Sequence, residues 1–454
     1  MKQQGIQINR AMIATILTLA WPTMLEQLLQ TAVQYIDTAM VGSLGTHATA
    51  AVGATTTVNW LVGSSISALG VGFLCFIAQA YGARDREAAS KAVMQAVLVT
   101  VACGMFFTAL TLGLSGAIPR WMQVDEAIRE LAGRYFFILY LPMLPRTATV
   151  IFGTVLRAAG DTKSPMKIGF CVNLINVVLN FLLIYPTRTI WGITVPGAGM
   201  GVIGAAAASA VAFTIGGAAI TVVLWRHPLV SPRGQRFRPD AAILRPCLKV
   251  ALPNMLQRFG TSLGYVAFAS MINALGEVIT AAHTIANTVE SAFYIPGYGM
   301  QSAAATLAGN AYGARDRKRL RDLERMFIPI EVLLMVISGG ALFLAAPGLM
   351  GLFSKSPEVI RLGTTVLRMV ALSEPAYGFS IIIEGMMLGM GNTKEPFLYN
   401  ILGMWGVRIV GTFLCTAFLG KGLVAAWGCM IAHNLLLFVL FLRCHLQNRL
   451  TVMI

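Results

Sequence analysis

The sequence predicts an all-α membrane protein of twelve transmembrane helices, arranged as two homologous six-helix lobes. Three observations predict this fold: a very apolar composition, twelve apolar segments of membrane-spanning length, and an internal repeat. Of the 454 residues, 56% are hydrophobic and only 12% are charged, whereas soluble domains use about 25% charged residues. This composition excludes a soluble enzyme, a disordered chain and a secreted disulfide scaffold. A transmembrane β-barrel is excluded because its strands alternate over short segments.

Twelve apolar segments lie between the charged and Pro/Gly-rich stretches of the chain. A helix needs about 20 apolar residues to cross a bilayer core of ~30 Å. The segments are predicted at residues 14–42, 47–78, 91–117, 127–157, 165–185, 198–224, 246–275, 279–310, 326–346, 361–389, 396–418 and 423–442. Several exceed the required length, which predicts tilted or kinked helices. The candidate kink sites are Pro22, Pro142, Pro145, Pro253, Pro296 and Pro375.

The basic residues predict the orientation of the chain in the membrane. With the N-terminus in the cytoplasm, the inside loops and tails hold 23 of the 34 Lys and Arg residues, the outside loops hold 7, and 4 lie within spans. Because cytoplasmic loops carry the excess of Lys and Arg, both termini are predicted to be cytoplasmic. We therefore expect a multi-pass protein of the inner or plasma membrane. The net charge of +15 follows from this topology and requires no nucleic-acid partner.

An internal repeat divides the chain into two halves. The sequence Ala-Tyr-Gly-Ala-Arg-Asp-Arg at residues 80–86 recurs letter for letter at residues 311–317, an offset of 231. The same offset relates Pro22 to Pro253, and it holds over about 140 residues, which indicates a duplication. Six spans per half is an even number, so both halves enter the membrane in the same sense. Their pseudo-two-fold axis is then predicted to lie along the membrane normal.

The repeat also predicts the domain boundaries. The N-terminal lobe is predicted to cover residues 1–225 and the C-terminal lobe residues 246–454. The polar, proline-containing stretch at residues 226–245 is the predicted cytoplasmic linker.

Four motifs resemble those of one transporter family. They are Tyr-Ile-Asp-Thr-Ala-Met-Val-Gly at residues 35–42, Ala-Gln-Ala-Tyr-Gly-Ala at 78–83, Leu-Arg-Ala-Ala-Gly-Asp-Thr at 156–162 and Asn-Val-Val-Leu-Asn at 176–180. The chain is similar over nearly its whole length to the multidrug and toxic compound extrusion (MATE) family, bacterial type. The resemblance implies export of organic, often cationic, drugs by antiport against protons or sodium, with alternating access of a cavity. We expect a monomer with small organic substrates, surrounded by membrane lipids, that is not an enzyme and needs no cofactor.

Two departures from the family pattern bear on the coupling ion. The sodium-coupled, NorM-like branch carries a glutamate in span seven, whereas residues 257–261 here read Gln-Arg-Phe-Gly-Thr. In the archaeal and DinF-like branch the fifth-span motif ends in aspartate, whereas this chain has Asn180. A proton is therefore the favoured coupling ion, and a sodium-driven antiporter is the alternative.

Asp37 is the predicted proton carrier of the first half. An ionised side chain within a span costs ~2.5–3.5 kcal/mol on insertion scales, so such residues usually face a cavity and serve a function. The spans hold the carboxylates Glu26, Asp37, Glu290, Glu331, Glu374 and Glu384. Asp37 lies in the matched first-span motif, and its predicted neighbours are Asn176, Asn180 and Ser209. The alternative is an interfacial aspartate that reaches headgroup water.

The second half has different carboxylates. Its equivalent of Asp37 is Phe268, whereas Glu290 and Glu384 occur where the first half has Asn59 and Gly153. We predict that both glutamates bind substrate or ion; the alternative is a salt bridge of either one to Arg258 or Arg408. Glu331 is predicted to lie near the cytoplasmic end of its span and to reach the interface. The predicted cavity-lining groups are Gln34, Tyr35, Asn59 and Asn287.

Two other functional classes fit the sequence less well than a drug exporter. A flippase of lipid-linked intermediates is expected to have fourteen spans and a strongly cationic cavity, whereas the spans here hold four basic residues. A membrane enzyme is expected to have a His/Asp/Glu constellation at membrane depth, and the sequence shows no such motif. It also contains no nucleotide-binding loop, so we expect an ion gradient to supply the energy.

Overall fold

The structure is a computed structural model that describes residues 10–121 and 126–452, and it is almost entirely helical. The helices of the first half are α1 (Arg10–Gly42), α2 (Thr46–Gly82), α3 (Arg86–Leu114), the short α4 (Ile118–Trp121), α5 (Glu126–Tyr140), α6 (Met143–Ala158), α7 (Lys163–Ile184) and α8 (Gly201–Arg226). Those of the second half are α9 (Ala241–Asn273), α10 (Glu277–Gly313), α11 (Arg317–Phe353), α12 (Pro357–Ala371), α13 (Glu374–Gly389), α14 (Lys394–Phe418, with π-helical turns), α15 (Leu423–Leu446) and the short α16 (Arg449–Val452).

The predicted twelve-helix, two-lobe fold is confirmed. Within the described residues, eight helices are long and apolar enough to cross a membrane, and two bent pairs, α5–α6 and α12–α13, meet the same test as single spans. The remaining two spans are α9 and α10, which are 33 and 37 residues long. Each has an ionisable residue far from its ends: Arg258 in α9 and Glu290 in α10. Glu290 is buried by neighbouring helices, so this polar residue is tolerated there.

Both broken spans are interrupted at equivalent positions. The fourth span bends by 50° at Leu141–Pro142, and the tenth bends by 51° at Leu372–Ser373, which lies 231 residues later. Pro142 has no N–H to donate, so it ends α5 and precedes the first residue of α6. The kink predicted at Pro142 is thus confirmed as a break.

The repeated motif forms the same helical corner twice. Arg84 and Arg315 both adopt a left-handed backbone, with φ of 60° and 52°. The next residue caps the following helix: Asp85 accepts a hydrogen bond from the N–H of Ala88, and Asp316 accepts one from the N–H of Arg319, both at 2.9 Å. An aspartate at the N-cap satisfies one of the free N–H groups of the first turn. The duplicated sequence therefore encodes a duplicated turn.

A β-hairpin between α7 and α8 was not predicted. Strands β1 (Pro186–Ile190) and β2 (Ile193–Ala198) pair antiparallel, with Ile190 opposite Ile193. The two-residue connection is Trp191–Gly192, and both residues have positive φ, at 51° and 82°. Such a connection matches the right-handed twist of the strands. The sequence gives little sign of this hairpin, because Trp191–Gly192 is not the Asn-Gly or Asp-Gly pair typical of such turns.

The chain forms two compact units. Unit 1 contains the described residues up to Gln27, Ala78–Arg84 and the chain from Lys249 onward; unit 2 contains Leu28–Ile77 and Asp85–Leu248. The core of unit 1 includes the fully buried Phe327, Trp427 and Phe441.

The segment predicted as a linker is bound to α3 of unit 2. Ser90 donates a hydrogen bond to the carbonyl of Ser231 at 2.8 Å. The side chain of Gln95 donates to the carbonyl of Arg238 and accepts from the N–H of Asp240, both at 2.9 Å. The segment therefore has defined contacts within unit 2.

Candidate functional site

Asp37, the predicted proton carrier, and its three predicted neighbours lie together in unit 2. Nδ2 of Asn180 donates to Oδ1 of Asp37 at 2.5 Å and to Oδ1 of Asn176 at 3.2 Å. Nδ2 of Asn176 is 3.0 Å from Oγ of Ser209. Asp37 is on α1, the two asparagines are one turn apart on α7, and Ser209 is on α8. The structure thus joins three helices through one row of polar side chains.

Close packing of α7 against α8 positions this row. Gly204, in the first turn of α8, lies so near the carbonyl of Leu183 that a side chain would overlap it. The two asparagines are buried, with 6% of Asn176 and 1% of Asn180 exposed. A buried amide must find hydrogen-bond partners, because leaving one unpaired costs ~1–3 kcal/mol. Burial therefore directs both amides toward the carboxyl group of Asp37.

The amide of Asn176 has two orientations, and each one fits a different state of Asp37. One terminal atom of this amide lies 2.9 and 3.1 Å from the two carboxyl oxygens of Asp37. If this atom is oxygen, it accepts from Asn180, and it faces Asp37 favourably when that carboxyl carries a proton. If it is nitrogen, it donates to ionised Asp37, and the amide oxygen accepts from Ser209 at 3.0 Å. A hydroxyl can donate or accept, so the same side chains serve both states.

A second cluster of polar side chains in unit 2 contains Arg146, whose hydrogen bond to Asn59 was not predicted. Nη2 of Arg146 donates to Oδ1 of Asn59 at 2.6 Å, and the hydroxyl of Tyr140 donates to the same oxygen at 3.2 Å. Asn59 was predicted only as a cavity-lining residue. Arg146 is visible in the sequence as a charge within a span, but a contact across 87 residues requires the fold.

In unit 1, Glu384 lies among amides. Oε1 of Glu384 accepts from Nε2 of Gln257 at 2.7 Å and from Nδ2 of Asn400 at 3.2 Å. Arg258 interacts with Glu384 electrostatically, and in the part of the chain described here no direct ion pair within 4.0 Å joins them. The direct hydrogen-bond donors to Glu384 are therefore two side-chain amides.

Glu290 is buried next to two other charged groups of unit 1. It is 6% exposed and interacts electrostatically with Arg408 and with Glu374. The guanidinium of Arg408 is 4.1 Å from the ring centre of Phe268 and 4.8 Å from that of Tyr265. Phe268 is the repeat equivalent of Asp37, so the second half places an aromatic face under a cation where the first half has a carboxylate.

Three predicted cavity-lining residues have exposed side chains: Gln34, Tyr35 and Asn287. Among the described residues, no hydrogen bond joins the side chain of Gln34 or Asn287 to the groups around Asp37, Asn59 or Glu384.

The prediction for Glu331 was wrong. It lies 14 residues into α11 and is fully buried, and neither carboxyl oxygen has a hydrogen-bond partner among the described residues. Its side chain packs against Gly297 and Gly378, whose missing side chains leave room for it. A carboxylate near the predicted start of a span was expected to reach the interface, whereas α11 begins at Arg317 and packs Glu331 among its neighbours.

Comparisons with known proteins agree with the repeat. The family model MatE matches residues 22–182 and 253–414, two stretches that begin 231 residues apart. A probable multidrug resistance protein NorM of Thermotoga maritima is 27% identical over 431 residues, which cover 95% of this chain and 90% of that protein. The probable multidrug resistance protein YpnP of Bacillus subtilis is 25% identical over 409 residues, which cover 88% of this chain and 87% of that protein.

Solved structures share the fold. A MATE protein crystallised in a straight conformation has a TM-score of 0.90 and 24% identity, covering 100% of this chain and 99% of that chain. A transporter of the MOP superfamily from Pyrococcus furiosus, with a binding pocket described as reversed in polarity, has a TM-score of 0.88 and 24% identity, with the same coverage.

Proposed function

We propose that this chain, which belongs to the MATE family of multidrug efflux transporters, is a proton-driven antiporter that exports organic, often cationic, compounds by alternating access. The relatives named above are multidrug resistance proteins. The proposal places the multi-pass chain in the inner or plasma membrane as a monomer, with both termini and the 226–245 linker in the cytoplasm, as the distribution of basic residues favours.

The observation that carries the proton assignment is the hydrogen-bonded row around Asp37. Transport coupled to a proton requires a group that binds the proton in one state and releases it in the other. In one orientation the amide of Asn176 offers an acceptor to the acid form of Asp37, and in the other it donates to the carboxylate form; Ser209 can bond the amide in both. The second orientation gives up the hydrogen bond from Asn180 to Asn176, but the site offers Asp37 a partner in both forms.

The same geometry argues against sodium at this site. A hard cation needs several oxygen ligands that converge on one point. As the structure stands, Oδ1 of Asp37 instead accepts from a donor, Nδ2 of Asn180 at 2.5 Å, and this N–H takes one of the positions that a cation would need. The sodium-driven antiporter remains the competing proposal, with Glu290 and Glu384 of unit 1 as its candidate ligands.

Reconstituted vesicles distinguish the two coupling ions. We expect an inward proton gradient to drive drug export in sodium-free proteoliposomes, and a protonophore to stop it. Vesicles with a sodium gradient and no proton gradient should show no export above the background of empty liposomes. Export that is absent without sodium and restored by its addition would contradict the proton assignment and support the sodium-driven alternative.

A further inference from the structure

Arg146 of unit 2 is a cation at membrane depth without a counter-charge. It is the fourth residue of α6, directly after the break at Leu141–Pro142. Its guanidinium carbon is 5.0 Å from the ring centre of Phe213 and 5.8 Å from that of Tyr140. Asn59 supplies its hydrogen-bond acceptor, a neutral amide oxygen at 2.6 Å.

The donors of this group outnumber its acceptors. Within residues 10–121 and 126–452, Arg146 takes part in no ion pair, and its buried Nη1 has no hydrogen-bond partner. The single amide oxygen of Asn59 already accepts from both Arg146 and Tyr140. A buried cation that lacks a counter-ion is costly, and a guanidinium fork fits the two oxygens of a carboxylate. An oxyanion would supply both the missing acceptor for Nη1 and the counter-charge.

The duplicated half shows that the fold does not require this cation. The residue equivalent to Arg146 is Tyr377, whose hydroxyl is 2.8 Å from the hydroxyl of Tyr298. The residue equivalent to Asn59 is Glu290. The second half thus has an acid where the first half has the neutral partner of an arginine. An acid at residue 59 would neutralise Arg146, and the chain has an amide instead.

The cation adjoins the proposed proton site. Phe213, under the guanidinium, lies one helical turn after Ser209, which contacts Asn176. Four residues of α-helix rise ~6 Å. This spacing suits an organic molecule that carries both a positive group, for Asp37, and a negative group, for Arg146.

We propose that Arg146 and Asn59 form an oxyanion subsite, so that the transporter binds zwitterions, organic cations that also carry a carboxylate or sulfonate, more tightly than their esters. The transport consequence rests on the proposed function, whereas the binding preference does not. Because a hydrogen bond to a charged group is stronger than one to a neutral group, we expect a preference of about tenfold, which corresponds to about 1.4 kcal/mol.

Two rhodamine dyes test this preference with one functional group changed. Rhodamine 110 has a free carboxylate, and rhodamine 123 is its methyl ester on the same ring system. Fluorescence polarisation with the purified full-length protein should give a Kd about tenfold lower for rhodamine 110. In Arg146→Gln this difference should disappear, with the Kd for rhodamine 123 changing less than twofold. The control is Arg188→Gln, because Arg188 also stacks on two rings, Phe181 and Tyr185 at 4.3 and 4.0 Å.

Asn59→Asp provides a second variant that keeps the fold. It places a carboxylate beside the guanidinium, so we expect the melting temperature to stay at or above that of the wild type while the preference for rhodamine 110 is lost. The proposal is overturned if the wild type binds both dyes equally, or if Arg146→Gln weakens both dyes equally. Dye binding is measured without transport. If proton-driven export failed, the proposed antiport would be contradicted, but the difference in Kd between the two dyes would still decide the role of Arg146.

Discussion

Gly82 lies directly against the backbone carbonyl of Asn310, with no room for a methyl group between them. The relationship is reciprocal, because Gly313 lies in the same way against the carbonyl of Gln79. Gly82 and Gly313 are equivalent in the repeat, as are Gln79 and Asn310. All four belong to unit 1. The ends of α2 and α10 therefore cross at a point where each helix contributes a glycine to the other.

Alanine at either glycine should destabilise unit 1. In Gly82→Ala or Gly313→Ala the new methyl group would overlap a carbonyl, so the helices must separate at a cost of about 1–3 kcal/mol. We expect a lower melting temperature in detergent by differential scanning fluorimetry. The control is Gly113→Ala near the end of α3, where a side chain meets only open space. Equal melting temperatures for all three variants would refute the close crossing.

Asp37→Asn should abolish proton-driven export while leaving the protein folded. Asparagine has nearly the shape of the protonated acid and carries no charge, so the contact with Asn180 is retained but no proton can be released. Drug resistance in cells and export from proteoliposomes should fall to the level of empty controls. Glu87→Gln, at an exposed ion pair with Lys91, should transport normally. Wild-type export by the Asp37 variant would eliminate it as the proton carrier.

Ser209→Ala should slow export without abolishing it. The variant removes the hydroxyl that both orientations of the Asn176 amide use, at a cost of about 1 kcal/mol. We expect the initial rate of export to fall severalfold at unchanged expression. Thr214→Ala is the control on the same helix, since its hydroxyl bonds only to the carbonyl of Ala210. Equal rates in the two variants would mean that Ser209 is a packing residue.

Glu290→Gln and Glu384→Gln should impair cationic substrates more than neutral ones. A carboxylate attracts a charged ligand, and this attraction is absent for a neutral one. We expect about a tenfold loss of affinity for a permanent cation, or 1.4 kcal/mol, against less than twofold for a neutral dye. Glu358→Gln, on the exposed first turn of α12, is the matched control. Equal losses for both kinds of substrate would show that the glutamates act only in folding.

Cysteine labelling should locate the loops. In a cysteine-free background, an impermeant maleimide added to intact cells should modify a cysteine at residue 355 and should reach one at residue 236 only after permeabilisation. Both positions are exposed, so access depends on the side of the membrane. The reverse pattern would invert the proposed topology.

The sequence was most informative where the chemistry is local or repeated. The offset of 231 predicted two halves of six spans, because a repeat can be counted in a sequence. Helical periodicity predicted that Asn176 and Asn180 share one face of α7, whereas their place beside Asp37 was expected from the resemblance to the MATE family. The breaks at Leu141–Pro142 and Leu372–Ser373 were harder to predict. Pro142 and Pro375 were named as candidate kink sites near them, but a proline in a sequence does not distinguish a bent helix from a broken one.

Contacts between distant helices were beyond the sequence. Arg146 was identified as a charge within a span, but its partner Asn59 depends on how α2 and α6 pack. Glu331 was placed at an interface because its distance from the buried glycines Gly297 and Gly378 could not be known. The β-hairpin was missed since its turn, Trp191–Gly192, lacks the Asn-Gly pattern that signals such turns.

The two halves carry different side chains at equivalent positions, Asn59 against Glu290 and Arg146 against Tyr377. This difference has a consequence for how such a protein evolves. In a dimer of identical chains every substitution is present twice, so an arginine gained on one side is gained on the other as well. Fusion of two copies into one gene removes this constraint. One half of this chain could then acquire a cation while the other acquired an acid, and neither change had to be acceptable in both places.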